Sequence, residues 1–308
     1  MKTPVAFFIF KRPDTTEKVF EAIRQAKPPK LFVVADGPRP DRPGEAEKCA
    51  AARAIIDRVD WDCEVIKNYS DVNLSARIRV SSGLDWVFEM VEEAILLEDD
   101  CLPNPSFFPF CETLLDWYRE DKRIMMISGN NVLGEWKSDS QSYHFSYYGS
   151  IWGWASWRRA WQYYDVDIKL WQNQEARNRL RDIIANNYQY KVRSKNFDDA
   201  YSKRVDAWDY QWNLARLLQS GLSIVPCVNL ISNIGFGEDA TNTKSSNSTI
   251  ANLKTENIEL PLKFNTITVA DRDYDKIWFK KITNQVKFSV RIKTKLAKGI
   301  QKVKRLSQ

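Results

Sequence analysis

Four short apolar runs in the first hundred residues constrain this chain more than anything else in it. They are Val5 to Phe10, Leu31 to Ala35, Cys63 to Ile66 and Ala94 to Leu97. Three of them are apolar throughout and rich in β-branched or aromatic residues, the pattern of strands buried on both faces. The stretches between them have helical spacing. Val19, Phe20, Ile23 and Ala26 share a face, Thr15 or Thr16 can cap that helix, and Pro28-Pro29 ends it. A second helix is expected over roughly Pro43 to Val59. A third is expected over Ser81 to Glu93, with Leu84, Val87, Phe88 and Val91 facing inward. Strands and helices alternating through short links predict a doubly wound α/β fold, with a mostly parallel central sheet flanked by helices. Right-handed crossovers bring such strand ends to one edge, where ligands bind.

After residue 100 the pattern changes. A helix is expected over Pro105 to Tyr118, a strand over Ile124 to Ile127, and a polar loop over Ser128 to Tyr148. Ile151 to Ala155 reads as a strand leading into a helix through Trp157 to Trp161. Residues 171 to 220 read as largely helical, Leu222 to Val225 as a strand, and Asn229 to Ser248 as a mobile polar loop. Residues 249 to 275 carry no pattern that assigns them.

Composition narrows the function classes. The chain has 46 Lys and Arg against 40 Asp and Glu, but eleven of the basic residues lie between Lys276 and Gln308, where there is no acid. The remainder holds 35 basic and 40 acidic residues, so the charge is a local device and no nucleic-acid-binding face is expected. Five cysteines without a CxxC spacing argue against a disulfide framework or zinc site and fit a reducing cytoplasm. The N-terminal apolar run is too short for a signal-peptide core, and no stretch approaches a membrane span. A cytoplasmic location is expected. The single histidine, His144, leaves little room for hydrolases that use a histidine base or for His-ligated zinc. Twelve tryptophans exceed what a core requires and are expected to include flat walls for an apolar ring face.

The sharpest motif is Glu98-Asp99-Asp100, at the end of the fourth apolar run. Three buried like charges repel unless a cation compensates them. Strand alternation sends Glu98 and Asp100 one way and Asp99 the other. A hard divalent ion such as Mg²⁺ or Mn²⁺ takes oxygen ligands and often uses only one or two protein carboxylates plus phosphate oxygens. The segment has the look of a Walker B strand, but no GxxxxGK[ST] loop accompanies it, which argues against a P-loop NTPase.

The run Leu97-Glu98-Asp99-Asp100-Cys101-Leu102-Pro103-Asn104-Pro105-Ser106-Phe107-Phe108 resembles the Glu-Asp-Asp motif and following helix start of the N-acetylglucosaminyltransferase I family. The chain is also similar to a bacterial group of sugar transferases with surface-polysaccharide functions. The resemblance covers about residues 4 to 240 through four short stretches. It implies a GT-A (Rossmann-like) fold over residues 1–270, with a nucleotide-binding half at 1–100 and an acceptor half and lid at 101–248, followed by a basic tail at 271–308. It implies an inverting, metal-dependent transfer from a UDP-sugar, with UDP-GlcNAc one candidate, to a glycan or lipid-linked acceptor in surface-polysaccharide assembly.

Residue by residue, the resemblance implies that Arg12 contacts the nucleotide, Asp36 accepts from uracil N3–H, and Glu98 and Asp99 hold the nucleotide while Asp100 ligates Mn²⁺ or Mg²⁺. Arg77 and Arg79, placed just before the third helix, suit a diphosphate at its N-terminus. Ala207-Trp208-Asp209-Tyr210-Gln211-Trp212 resembles the family's stretch that carries the general base, with one extra residue. Asp209 is the candidate base and Asp206 its alternative. Ser232 to Gly237 and the polar run to Thr243 resemble a lid. Trp152, Trp154 and Trp157 are expected to wall a sugar or acceptor site or else to pack the core.

In the tail, Ile292, Leu296, Ile300 and Val303 fall at helical spacing among lysines, as in a basic amphipathic helix on the inner membrane face. Two other readings use the same residues. A nucleotidyltransferase would need a lysine-bearing, glycine-rich loop after the first strand, and Lys11-Arg12-Pro13-Asp14 has no glycine. A catalytically silent carbohydrate- or membrane-binding protein could keep the fold without the chemistry.

Overall fold

The computed structural model describes residues 1 to 184, 186 to 236 and 250 to 283. In chain order the first half runs β1 (Val5–Ile9), α1 (Pro13–Ala26), β2 (Lys30–Ala35), α2 (Glu45–Ile55), β3 (Glu64–Tyr69), α3 (Ser75–Met90) and β4 (Glu93–Glu98). It continues with β5 (Cys101–Pro103), α4 (Phe107–Trp117), β6 (Ile124–Ser128), β7 (Tyr143–Ser146), β8 (Trp154–Trp157) and α5 (Arg158–Trp161). The rest comprises α6 (Gln174–Ile184), α7 (Asn187–Tyr201), α8 (Asp209–Leu218), β9 (Leu222–Pro226) and β10 (Ile231–Asn233).

Eight strands form one sheet in the order β3-β2-β1-β4-β8-β6-β9-β7. The four strands of the first half are parallel, as is the β6–β9 pair. The sheet is therefore the expected mostly parallel α/β sheet. Three pairings are antiparallel, however: β4 with β8, β6 with β8, and β7 with β9. The doubly wound pattern thus holds for the first hundred residues and gives way to mixed pairing beyond them.

Strand alternation sorts the apolar residues onto two faces. Val5, Phe7, Ile9, Leu31, Val33, Ile95 and Leu97 pack with residues of α1, α2 and α4. Ala6, Phe8, Phe32, Val34, Ala94 and Leu96 pack with α3, α5 and α8 on the other face. Full burial of each Val, Leu, Ile or Phe side chain contributes about 1.5–3 kcal/mol, which explains why the interiors of these strands are apolar on both faces.

Several expected boundaries move. Helix α1 begins at Pro13, ahead of the expected cap at Thr15 or Thr16. The strand expected over Ile151 to Ala155 is Trp154–Trp157, and β10 lies in the region expected as a polar loop after Asn229. The third helix begins at Ser75, six residues before the expected Ser81, so Arg77 and Arg79 lie inside it. The region read as a polar loop contains β7, whose four residues are all buried. Its outer edge is covered by the stretch that carried no pattern. Asn265 N donates to Tyr143 Oη at 3.0 Å, and Asp271 N donates to the Phe145 carbonyl at 2.7 Å.

A last helix over residues 272 to 283 buries Tyr274, Trp278 and Phe279 with Tyr148 and Val225. The segment expected as a basic tail therefore starts packed on the body. Its remainder, including Ile292 to Val303, lies outside the described residues. Among the described residues no helix is long and apolar enough to cross a membrane.

Candidate active site

In the first four strands β1 sits between β2 and β4, so the direction of winding reverses at β1 and β4. A crevice opens beyond the carboxyl ends of parallel strands at such a reversal. A cavity of about 650 Å³ lies there. Arg12, Asp36, Arg79, Glu98, Asp99, Asp100, Asp206 and Asp209 all line it, with Lys11, Arg39, Asn73, Trp152 and Asn233. Arg77 does not; its Nη1 lies 3.8 Å from Asp167 Oδ1.

The acids at the end of β4 are held by the strand beside them. Phe8 is the register partner of Glu98, and two residues on Phe10 N donates to Asp99 Oδ2 at 3.1 Å. Arg12 reaches across to both aspartates. Its Nη2 pairs with Asp99 Oδ1, and its Nη1 lies 2.9 Å from Asp100 Oδ2. Asp99 is 2% exposed and Asp100 8%. Burial by itself would lower the Arg12 pKa, but the two carboxylates outweigh it and hold the guanidinium charged. Glu98 is pushed up, first by burial and then by the charges of Asp100 and Asp99. Asp99 is pushed up by burial, with Arg12 opposing. One guanidinium facing three carboxylates leaves the cluster short of positive charge.

Among the described residues no three His, Cys, Asp or Glu side chains converge as a metal cage. The donor set still fits a hard cation that takes most of its ligands from elsewhere. Glu98 Oε1 is buried with no hydrogen-bond partner, and the Glu98 and Asp100 carboxylates offer the oxygen ligands such an ion takes.

Asp36 follows β2, and its carboxylate is largely engaged by the turn before α3. Oδ1 accepts from Gly37 N and Leu74 N, both at 2.9 Å, and Oδ2 accepts from Asn73 Nδ2 at 2.9 Å. Burial nevertheless drives its pKa up against those bonds. Arg79 lies beneath, donating from Nε to the Ala35 carbonyl at 3.2 Å and from Nη2 to Asn68 Oδ1 at 2.9 Å. It ties the end of β2 to β3, and burial lowers its pKa. Lys11 and Arg39 share one partner, Glu45, which they hold down to about 2, the Arg39 bond contributing most.

The opposite wall is built from β8, α8 and β10. Antiparallel pairing of Leu96 with Trp154 puts the start of β8 at the crevice, so Trp152 lines it. Trp154 and Trp157 are core residues. Trp154 stacks on Trp208 at 5.7 Å and packs against Trp161 and Trp212, and the Trp157 indole donates to the Leu115 carbonyl at 3.3 Å. Asp209 opens α8, and burial drives its pKa up. Asp206 is occupied elsewhere, accepting from Ser75 Oγ at 2.9 Å, Ala76 N at 3.2 Å and Arg77 N at 3.0 Å.

β10 pairs with β5 and carries the chain over the acids, where Ile234 N donates to the Asp100 carbonyl at 2.8 Å. A Cβ at Gly235 would strike Asp100 Oδ2 and Arg12 Nη1, so any larger residue there must displace the Arg12–Asp100 pair or the 233–236 segment. Of the expected lid, residues up to Phe236 are described, and Phe236 packs edge-on against Trp152 at 5.7 Å. Gly237 to Thr243 lie outside the described residues. His144 is buried with its ring 4.2 Å from Tyr274 and takes no part in the cavity.

Sequence reasoning missed Arg39, Asn73 and Asn233. None of them carries a local pattern that marks it; Asn73 reaches Asp36 from 37 residues away.

No protein-family model matches the chain, and no curated protein does. Solved structures similar to it include the galactosyltransferase LgtC in complex with donor and acceptor sugar analogues. That match has 11% identity over 72% of this chain and 73% of that one, with a TM-score of 0.40. An active-site mutant of LgtC is similar at 10% identity over 90% and 96% of the two chains, with a TM-score of 0.39. A 4-diphosphocytidyl-2C-methyl-D-erythritol synthase from Anaerococcus prevotii DSM 20548 is similar at 11% identity over 51% and 72%, with a TM-score of 0.32.

Proposed function

We propose that this chain is a glycosyltransferase that moves a sugar from a nucleotide-diphospho-sugar, a UDP-sugar by the character of Asp36, to a glycan or lipid-linked acceptor. One observation carries the reading. Arg12, Asp36, Glu98, Asp99, Asp100 and Asp209 come from four separated stretches of sequence and line a single cavity at the winding reversal of the sheet. UDP-GlcNAc and inversion rest on the motif resemblance to the N-acetylglucosaminyltransferase I family, and surface-polysaccharide assembly on the similarity to the bacterial group of sugar transferases.

In this reading Asp36, with one oxygen only partly engaged, accepts from the base, and Lys11 and Arg39 draw the donor's negative charge into the crevice. Asp100 and Glu98 would hold Mn²⁺ or Mg²⁺, which when bound neutralises the leaving diphosphate. Asp209 takes the proton from the acceptor hydroxyl, and desolvation raises its pKa above the ordinary carboxylate value, the direction that suits a base. Trp152 offers an apolar face to a sugar ring.

A second reading has its own support. Arg12 already pairs with both Asp99 and Asp100, so a metal-independent or silent protein could rest on that pairing alone. The two are separated by donor hydrolysis over a panel of UDP-sugars with Mn²⁺ and with a chelator. UDP release from one sugar, lost on chelation, is the outcome expected. Release that survives chelation would remove the metal, and no release from any donor would favour the silent protein.

A further inference from the structure

The stretch from Asn73 to Arg77 is gripped from two sides. Its first half belongs to Asp36: Leu74 N donates to Oδ1, and Asn73 Nδ2 donates to both Oδ2 and the Gly37 carbonyl, each at 2.9 Å. Its second half belongs to Asp206, which accepts from Ser75 Oγ, Ala76 N and Arg77 N. Between the two grips Ser75 has φ +68°, a left-handed conformation that a serine adopts only under constraint.

Helix α3 has no local cap, because Leu74 makes no side-chain cap bond and the first turn has no acid. The carboxylate that satisfies its first amides comes from 130 residues away, in the stretch between α7 and α8. Three residues after Asp206 stands Asp209, at the first turn of α8. Asp36 and Asp209 are therefore joined through five residues and one carboxylate, across the cavity that both line.

We propose that Asp206 is a positioning residue that ties the placement of Asp209 to the Asp36 turn, so that the nucleotide side of the cavity and the base move as one unit. The tie itself is a matter of hydrogen bonds; its catalytic consequence rests on the function proposed above. Three acceptor sites of the Asp206 carboxylate are taken by α3, so proton abstraction there would compete with the tie.

The test compares wild type with Asp206→Ala, Asp206→Asn, Ser75→Gly and the double variant Asp206→Ala/Ser75→Gly. Amide hydrogen exchange of the free protein reads the tie without needing activity. Exchange at Ala76, Arg77 and residues 205 to 210 should rise in Asp206→Ala and rise less in Asp206→Asn, which keeps one acceptor oxygen. With a donor that the wild type turns over, kcat should fall about 10- to 100-fold in Asp206→Ala, the scale of a reacting group misplaced by about an ångström. The KM for donor should stay within about twofold, because the Asp36 contacts remain. Ser75→Gly frees the strained position and should restore part of the exchange protection at Ala76 and Arg77 in the double variant. Unchanged exchange in Asp206→Ala would overturn the tie. Raised exchange with kcat intact, or with kcat and KM moving together, would overturn the coupling. If wild type turned over no donor, the proposed function would fail, and exchange would still decide whether Asp206 holds the two elements together.

Discussion

The two walls of the cavity are built in different ways. On one side, Arg12, Asp36 and Glu98 to Asp100 sit at the ends of adjacent parallel strands, and strand register sets their spacing. On the other, Trp152, Asp206 and Asp209 arrive from an antiparallel strand, an irregular stretch and the start of α8. Their positions depend on contacts far apart in sequence, such as Asp206 with α3 and Trp154 with Trp208. A wall made by a sheet can be read from local pattern, because apolar runs and a right-handed crossover determine where each strand ends. A wall made by long-range contacts cannot.

The largest expected effect divides the two walls by function. Asp209→Asn should lower kcat about 10²- to 10⁴-fold, the contribution of a positioned general base, while UDP affinity measured by calorimetry stays at the wild-type value. Loss of UDP binding in that variant would move Asp209 to the nucleotide wall and break the distinction.

Legibility follows the same division. Strands β1, β2 and β4 were readable because both faces are buried, and the acids were readable because they end β4. The start of α3 was not, since no neighbouring side chain caps its first turn; the cap is Asp206, which no local pattern could supply. Strand β7 hid in a polar region because the alternation of Tyr143, His144, Phe145 and Ser146 runs for only four residues, and its burial comes from residues 263 to 271 and the last helix. Of the twelve tryptophans, some expected to be sugar walls, seven are buried, and four of these, Trp154, Trp161, Trp208 and Trp212, form one core cluster. Only packing distinguishes Trp152 from those.

That distinction is testable by stability. Trp154→Ala should cost about 3–5 kcal/mol of unfolding free energy by denaturant titration, as truncation of a large buried aromatic does. Trp152→Ala should cost far less and should instead weaken donor turnover. Equal destabilisation by both would return Trp152 to the core.

His144 sharpens the contrast from outside the cavity. Burial pushes its imidazole down to about 4, so the folded state keeps it neutral while the unfolded chain protonates near pH 6.5. The stability is present above pH 6.5 and is lost as pH falls toward 4. Wild type should therefore lose roughly 2 kcal/mol more between pH 7 and pH 5 than His144→Phe, by denaturant unfolding at each pH. Donor turnover at pH 7 should be the same in both.

Gly235 joins the two walls, and its effect should be smallest. Gly235→Ala forces the 233–236 segment away from Asp100 and Arg12, an overpacking cost of about 1–3 kcal/mol. UDP binding should weaken accordingly, by about tenfold, with the rest of the fold intact by circular dichroism.

The central claim is that the acids ending β4 complete a nucleotide-diphosphate site with a divalent cation. Calorimetric titration of UDP into wild type and Asp100→Ala, each with Mn²⁺ and with a chelator, tests it most directly. The account predicts binding by wild type with Mn²⁺, and loss of that binding on chelation and in Asp100→Ala. Wild type that binds UDP equally well with and without metal, and Asp100→Ala that binds like wild type, would contradict it.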